Sequence, residues 1–154
     1  MFSASLFNRI LIAVVLCGAV PHSTWAQSFT QEYGGMLSQD GMGIALLGER
    51  FAIATTVLDS ATSQHRPKIL LVGTDGQFAS WNELPIPGAV FLQAAEASAD
   101  GGVFLAGSVI VPGASTHDAL LVKLDASGTL LWVAQPERMG NEQYFDLAAL
   151  PDGG

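Results

Sequence analysis

Thiol chemistry is almost missing from this chain. Cys17 is the only cysteine, so no internal disulfide can form and cysteine-rich metal sites are excluded. Histidine is scarce too: beyond residue 26 only His65 and His117 remain, too few for an ordinary zinc centre. Six Lys and Arg stand against fourteen Asp and Glu, for a formal net charge of −8. The basic residues form no cluster, which argues against a nucleic-acid partner, because phosphate backbones are gripped by grouped cations. A hydrophobic run of about twenty residues, the length a membrane-spanning helix needs, is also absent.

The longest apolar run, Ile10 to Val20, follows Arg9 and precedes Thr24-Trp25-Ala26. A positive charge, a short apolar core and small residues at the −3 and −1 positions spell a cleavable signal peptide over 1–26. The expectation is an exported protein, secreted, periplasmic or at the cell surface, with no membrane span once the leader is removed. A lipoprotein anchor at Cys17 is the less favoured alternative, because Leu16 stands where a small residue would precede the lipidated cysteine.

From residue 27 the chain repeats itself. Ala97-Ser-Ala-Asp100-Gly101-Gly102 returns as Ala149-Leu-Pro-Asp152-Gly153-Gly154, and Arg50–Thr56 aligns with Gly102–Ser108, both at an offset of 52. Ile69–Asp75 aligns with Ala119–Asp125 at an offset of 50, and Trp81 with Trp132 at 51. Such self-similarity marks a repeat architecture. The predicted units are 36–84, 85–136 and an incomplete 137–154.

The second unit reads most clearly. Asp100-Gly101-Gly102 forms a turn into a β-branched strand, Val103–Val111. Pro112-Gly113 and the polar residues to Asp118 form a loop; Ala119–Leu124 is the next strand. Asp125-Ala-Ser-Gly128 turns the chain into Thr129–Val133. Val90–Ala97 is Ala-rich and would suit a helix by propensity, but its place before the Asp-Gly-Gly turn, matched by Phe145–Leu150, makes it a strand. The domain over 27–154 is therefore read as all-β, in four-stranded antiparallel units: two complete ones and the first strand of a third.

Asp75-Gly76 and Trp81 in the first unit, Asp100-Gly101-Gly102, Ala106-Gly107, Lys123-Leu124-Asp125, Gly128 and Trp132 in the second, and Asp152-Gly153 in the third resemble the β-propeller repeats of secreted bacterial proteins. Phe29–Gly35 resembles the last strand of a unit running into the next. The resemblance implies a partial β-propeller whose blades stack around an axis, with Trp81 and Trp132 filling the wedge between blades. Asp125–Trp132 is also similar to the repeat signature of quinoprotein propellers and to the Asp-box of sialidases, differing from each by one residue in the Asp-to-Gly spacing.

No grouping of residues points to catalysis. Asp75, Asp100, Asp125 and Asp152 sit in turns, where they are expected to accept backbone N–H bonds rather than hold Ca²⁺. Ser115, His117 and Asp118 have the residue types of a hydrolytic triad but fall in one loop without a nucleophile elbow, and read as solvated; so does His65. The expected function is a non-enzymatic scaffold, without cofactor or metal, presenting loops to a protein, glycan or surface partner. The alternatives are the opening blades of a secreted hydrolase or quinoprotein and an adhesive spacer.

Overall fold

Short apolar runs separated by tight bends fold into strands between residues 39 and 134. The computed structural model describes residues 12–13, 30–31, 39–136 and 140–150. Ten strands occur there: β1 (Ile12–Ala13), β2 (Thr30–Gln31), β3 (Gln39–Leu47), β4 (Arg50–Asp59), β5 (Gln64–Gly73), β6 (Phe78–Glu83), β7 (Ala89–Ala97), β8 (Val103–Ile110), β9 (Asp118–Leu124) and β10 (Leu130–Ala134). The remainder of the predicted leader, including Cys17 and the cut after Ala26, lies outside the described residues, as do Asp152 and Gly153. Thr30–Gln31, expected to resemble the last strand of a unit, pairs with Ile12–Ala13.

The structure is all-β, with two four-stranded antiparallel sheets in the orders β3-β4-β5-β6 and β10-β9-β8-β7. Each is a meander in which consecutive strands pair, and the Ala-rich segment is strand β7, so position in the repeat prevails over helix propensity. The first strand expected of a third unit does not form: 140–150 joins no sheet. In both sheets the first strand pairs with the strand after the first turn, and 140–150 has no such neighbour among the described residues.

Strand pairing places the two sheets in one register. Phe51 faces Val72 and Ala54 faces Ile69 in the first, while Val103 faces Leu124 and Ala106 faces Leu121 in the second, every residue displaced by 52. The turns follow: Gly76 donates its N–H to Gly73 O, and Gly128 its N–H to Asp125 O. Even the irregularities recur, since an extra residue bulges at Met42 and Gln93 in the first strands and at Ala79 and Leu131 in the last. The first strand alone is displaced by 51, because five residues separate the paired Ala97 and Val103 where four separate the equivalent Leu46 and Phe51. The offset of 50 expected for Ile69–Asp75 is therefore corrected to 52. A slip of two residues keeps every side chain on its own face, so the hydrophobic pattern of Leu70-Leu71-Val72 and Leu120-Leu121-Val122 does not detect it.

The sheets pack face to face. Ala52, Ala54, Ile69 and Leu71 on one side meet Val103, Leu105, Leu120, Val122 and Leu124 on the other in a continuous core. At 0–1 % exposure each large side chain here contributes about 1.5–3 kcal/mol. The faces in contact are not equivalent, because 103 and 105 correspond to 51 and 53, not to 52 and 54. Stacking is thus head to tail, the arrangement that propagates a repeat. The counterpart face of the first sheet, with Phe51, Ile53, Leu70 and Val72, is buried as a second cluster.

Close approach of the sheets is set at their first strands. A Cβ on Gly43 would lie 2.5 Å from Ala95 N and 2.9 Å from the carbonyl carbon of Ala94, so only glycine fits. Beside this contact the Leu92 amide crosses between sheets to donate to Thr56 Oγ1 at 3.2 Å. Trp81 and Trp132 do not fill the gap. Trp81 pairs with Leu70 and Trp132 with Lys123, which puts each on the face turned away from the shared core. Both are exposed, 37 % and 43 %; their offset of 51 falls one short of the register, so they are not equivalent residues.

Candidate functional site

Three groups of polar side chains stand out: the turn aspartates, the ion pair at Lys123 and the seam around His117. The turns come first, because they fix the rest. Asp75 Oδ1 accepts from Gln77 N at 3.0 Å. Asp125 Oδ1 accepts from Ser127 N at 2.8 Å, Ser127 Oγ at 2.6 Å and Thr129 N at 2.9 Å. Gly76, Gly101 and Gly128 take positive φ of 80°, 82° and 84°, which glycine adopts without strain. These carboxylates stabilise bends, as their place in the sequence suggested. Hydrogen bonds from the Ser127 hydroxyl and then the Thr129 amide hold Asp125 below the ordinary carboxylate range, and Thr62 and Ala61 do the same for Asp59.

Asp100 does more. Its Oδ1 accepts from Gly102 N at 2.9 Å and from Lys123 Nζ at 2.8 Å. Those two donors, the lysine first, hold its pKa down to about 2. Lys123 is only 4 % exposed and its ammonium lies 4.1 Å over the Phe104 ring, whose centroid is 6.1 Å from that of Trp132. A Cβ on Gly102 would fall 2.2 Å from Leu124 O and 3.2 Å from Lys123 Nζ. The Asp-Gly-Gly and Lys-Leu-Asp signatures are therefore one device: the second glycine admits the lysine that the aspartate binds. In the first sheet the positions equivalent to Phe104, Lys123 and Trp132 hold Ala52, Leu71 and Ser80, on the face packed against the second sheet.

Of the loop residues read as solvated, the two histidines behave differently from expectation. Ser115 is exposed, but His117 is half-buried. Its Nδ1 lies 3.0 Å from Ser108 Oγ, its N–H donates to Asn141 Oδ1 at 2.7 Å and its carbonyl accepts from Glu142 N at 2.8 Å. His65 is displaced from His117 by 52 and lies in β5, half-buried. The two imidazoles both pack on Phe91, at centroid distances of 4.6 and 5.2 Å. Phe91, which comes from the adjacent unit for His65 and from the same unit for His117, is invisible to local sequence reading at either histidine. Asp118 is the first residue of β9 and pairs with Val109, so Ser115, His117 and Asp118 form no charge relay.

His117 also anchors residues 140–145. Besides the two bonds to Asn141 and Glu142, Tyr144 N donates to Gly107 O at 3.1 Å. Tyr144 is displaced by 52 from Leu92, whose amide reaches Thr56 on the corresponding strand of the first sheet. The segment thus lies over the second sheet along the track that β7 takes over the first. Between it and the sheet opens a cavity of about 580 Å³ lined by Ala119, Pro136, Asn141, Glu142, Gln143, Tyr144 and Phe145, a volume usual for a ligand site. Sequence reasoning missed it; its lining residues carry no motif.

Among the described residues no three His, Cys, Asp or Glu side chains gather as a metal site, and no helix is long and apolar enough to cross a membrane. A scan of protein-family models and a search of curated proteins each find no match to the chain.

Proposed function

We propose that the chain forms blades of an exported, non-enzymatic β-propeller that holds loops at one rim for a protein, glycan or surface partner. The observation that carries this reading is the common register with head-to-tail stacking of two four-stranded sheets. Units related in this way add blade after blade, and their loops recur along one side. The turn carboxylates support it: Asp75, Asp100 and Asp125 are engaged by backbone and lysine donors. Export rests on the leader over 1–26 and its small residues before the cut.

The test is binding. The full chain, produced with its leader in a bacterial host, is expected to be recovered outside the cytoplasm beginning at Gln27, and to retain a ligand from a panel of glycans and surface proteins without consuming it. Turnover that depends on a carboxylate or histidine of these loops would overturn the proposal.

A further inference from the structure

The cavity beside His117 contains a group whose chemistry is unfinished. Glu142 Oε2 is buried and has no hydrogen-bond partner among the described residues. Buried polar atoms are normally paired, and an orphaned carboxylate oxygen is among the costliest exceptions. The backbone around it is firmly held: Asn141 and Glu142 are tied to His117, which is itself held at Ser108 and Phe91. Glu142 therefore stands on a fixed wall and is one of the residues that line the open volume.

We infer that this cavity receives a guanidinium side chain of a basic protein partner, with Glu142 as its counter-ion. The inference rests on the scaffold reading above and names the chemistry of its partner. Three observations select a cation. A carboxylate binds a charged donor about twice as strongly as a neutral one, the chain is strongly acidic at −8, and the exposed rings of Tyr144 and Phe145, at 38 % and 70 %, lie in the same wall. Aromatic faces beside a carboxylate suit guanidinium, which stacks as well as hydrogen-bonds. A bare metal ion is disfavoured, since no second and third carboxylate or imidazole joins Glu142 among the described residues.

The experiment titrates the full chain with N-acetyl-arginine-amide and, separately, with a neutral disaccharide, by calorimetry or amide chemical shifts. Saturable, salt-weakened binding of the arginine derivative is expected, reduced at least tenfold in Glu142→Gln and several-fold in Phe145→Ala, with the thermal midpoint of each variant checked against the parent. Phe145 is largely exposed, so its truncation keeps the test open should Glu142→Gln disturb the fold. No saturable binding, saturation by the disaccharide alone, or equal affinity in both variants overturns the inference. Equal affinity would leave the scaffold intact, whereas catalytic turnover would sink the scaffold without touching this site.

Discussion

The first and second sheets share a register, a pair of bulges and a turn geometry, yet they differ where it matters for what packs next. On the face that the first sheet buries against its neighbour stand Ala52, Leu71 and Ser80; on the same face of the second stand Phe104, Lys123 and Trp132. Backbone pairing is thus constant while side-chain chemistry varies. The fold resides in the ladder and its glycine bends, and the surface is free to change between units.

Breaking the shared core should have the largest effect. Leu120→Ala removes a side chain that is 0 % exposed between the sheets and is expected to cost about 2–5 kcal/mol in urea unfolding. A cost under about 1 kcal/mol would mean that the sheets do not pack as described. Gly43→Val comes next. Its branched side chain meets the Ala94–Ala95 backbone, and a loss of about 1–3 kcal/mol is expected, with the sheets forced apart.

Exchanging the variable face sharpens the comparison further. Lys123→Leu gives the second sheet the residue of the first, Leu71, and is expected to leave the thermal midpoint near that of the parent, since a hydrophobic replacement of a buried ion is often neutral. Asp100→Ala instead leaves the ammonium buried and unpaired, and should lower the midpoint. The pH dependence has a definite sign. Because Asp100 titrates at about 2 when folded against a usual 3.8, its contribution is present above about pH 4 and disappears as pH falls toward 2. Acid unfolding monitored across that window should be less steep in Lys123→Leu, and an unchanged profile would show that the pair is not coupled to folding.

Truncating the tryptophans should cost far less than breaking the core. Trp132→Ala loses one ring contact with Phe104 and is expected to cost about 1 kcal/mol; Trp81→Ala should cost about 0.5 kcal/mol or less. Buried wedge residues would cost about 3–5 kcal/mol instead, so fluorescence-detected denaturation of the two variants decides between these placements.

Much of the fold was legible because it follows from local chemistry. Asp100-Gly101-Gly102 and Asp125–Gly128 announce bends, and β-branched runs between them announce strands. The two-residue slip was not legible, because alternation repeats every second residue and Leu-Leu-Val matches itself at either offset. Trp81 and Trp132 looked equivalent for the opposite reason: a single-residue difference changes the face, and only the pairing partners Leu70 and Lys123 reveal it. Of the polar groups, Asp100 and Lys123 were each visible as motif residues, but their contact arises because the Asp-Gly-Gly turn and Leu124 end the same ladder. His65 and His117 looked solvated because Phe91, which lies between them, is distant from both in sequence. The cavity at Glu142 depends on how 140–145 crosses the second sheet, and no local pattern encodes that path.

Head-to-tail stacking in a common register is the claim on which the rest stands, and proton–proton contacts in solution test it most directly. The structure predicts cross-peaks from the Gly128 α-protons to the δ-methyls of Leu71 and Leu47, whose carbons lie 3.6 and 3.7 Å from a Cβ built on that glycine. It also predicts a slowly exchanging Leu92 amide that loses its protection in Thr56→Val. Gly128 and Leu92 signals without contacts to the first sheet, and an amide indifferent to Thr56, would contradict it.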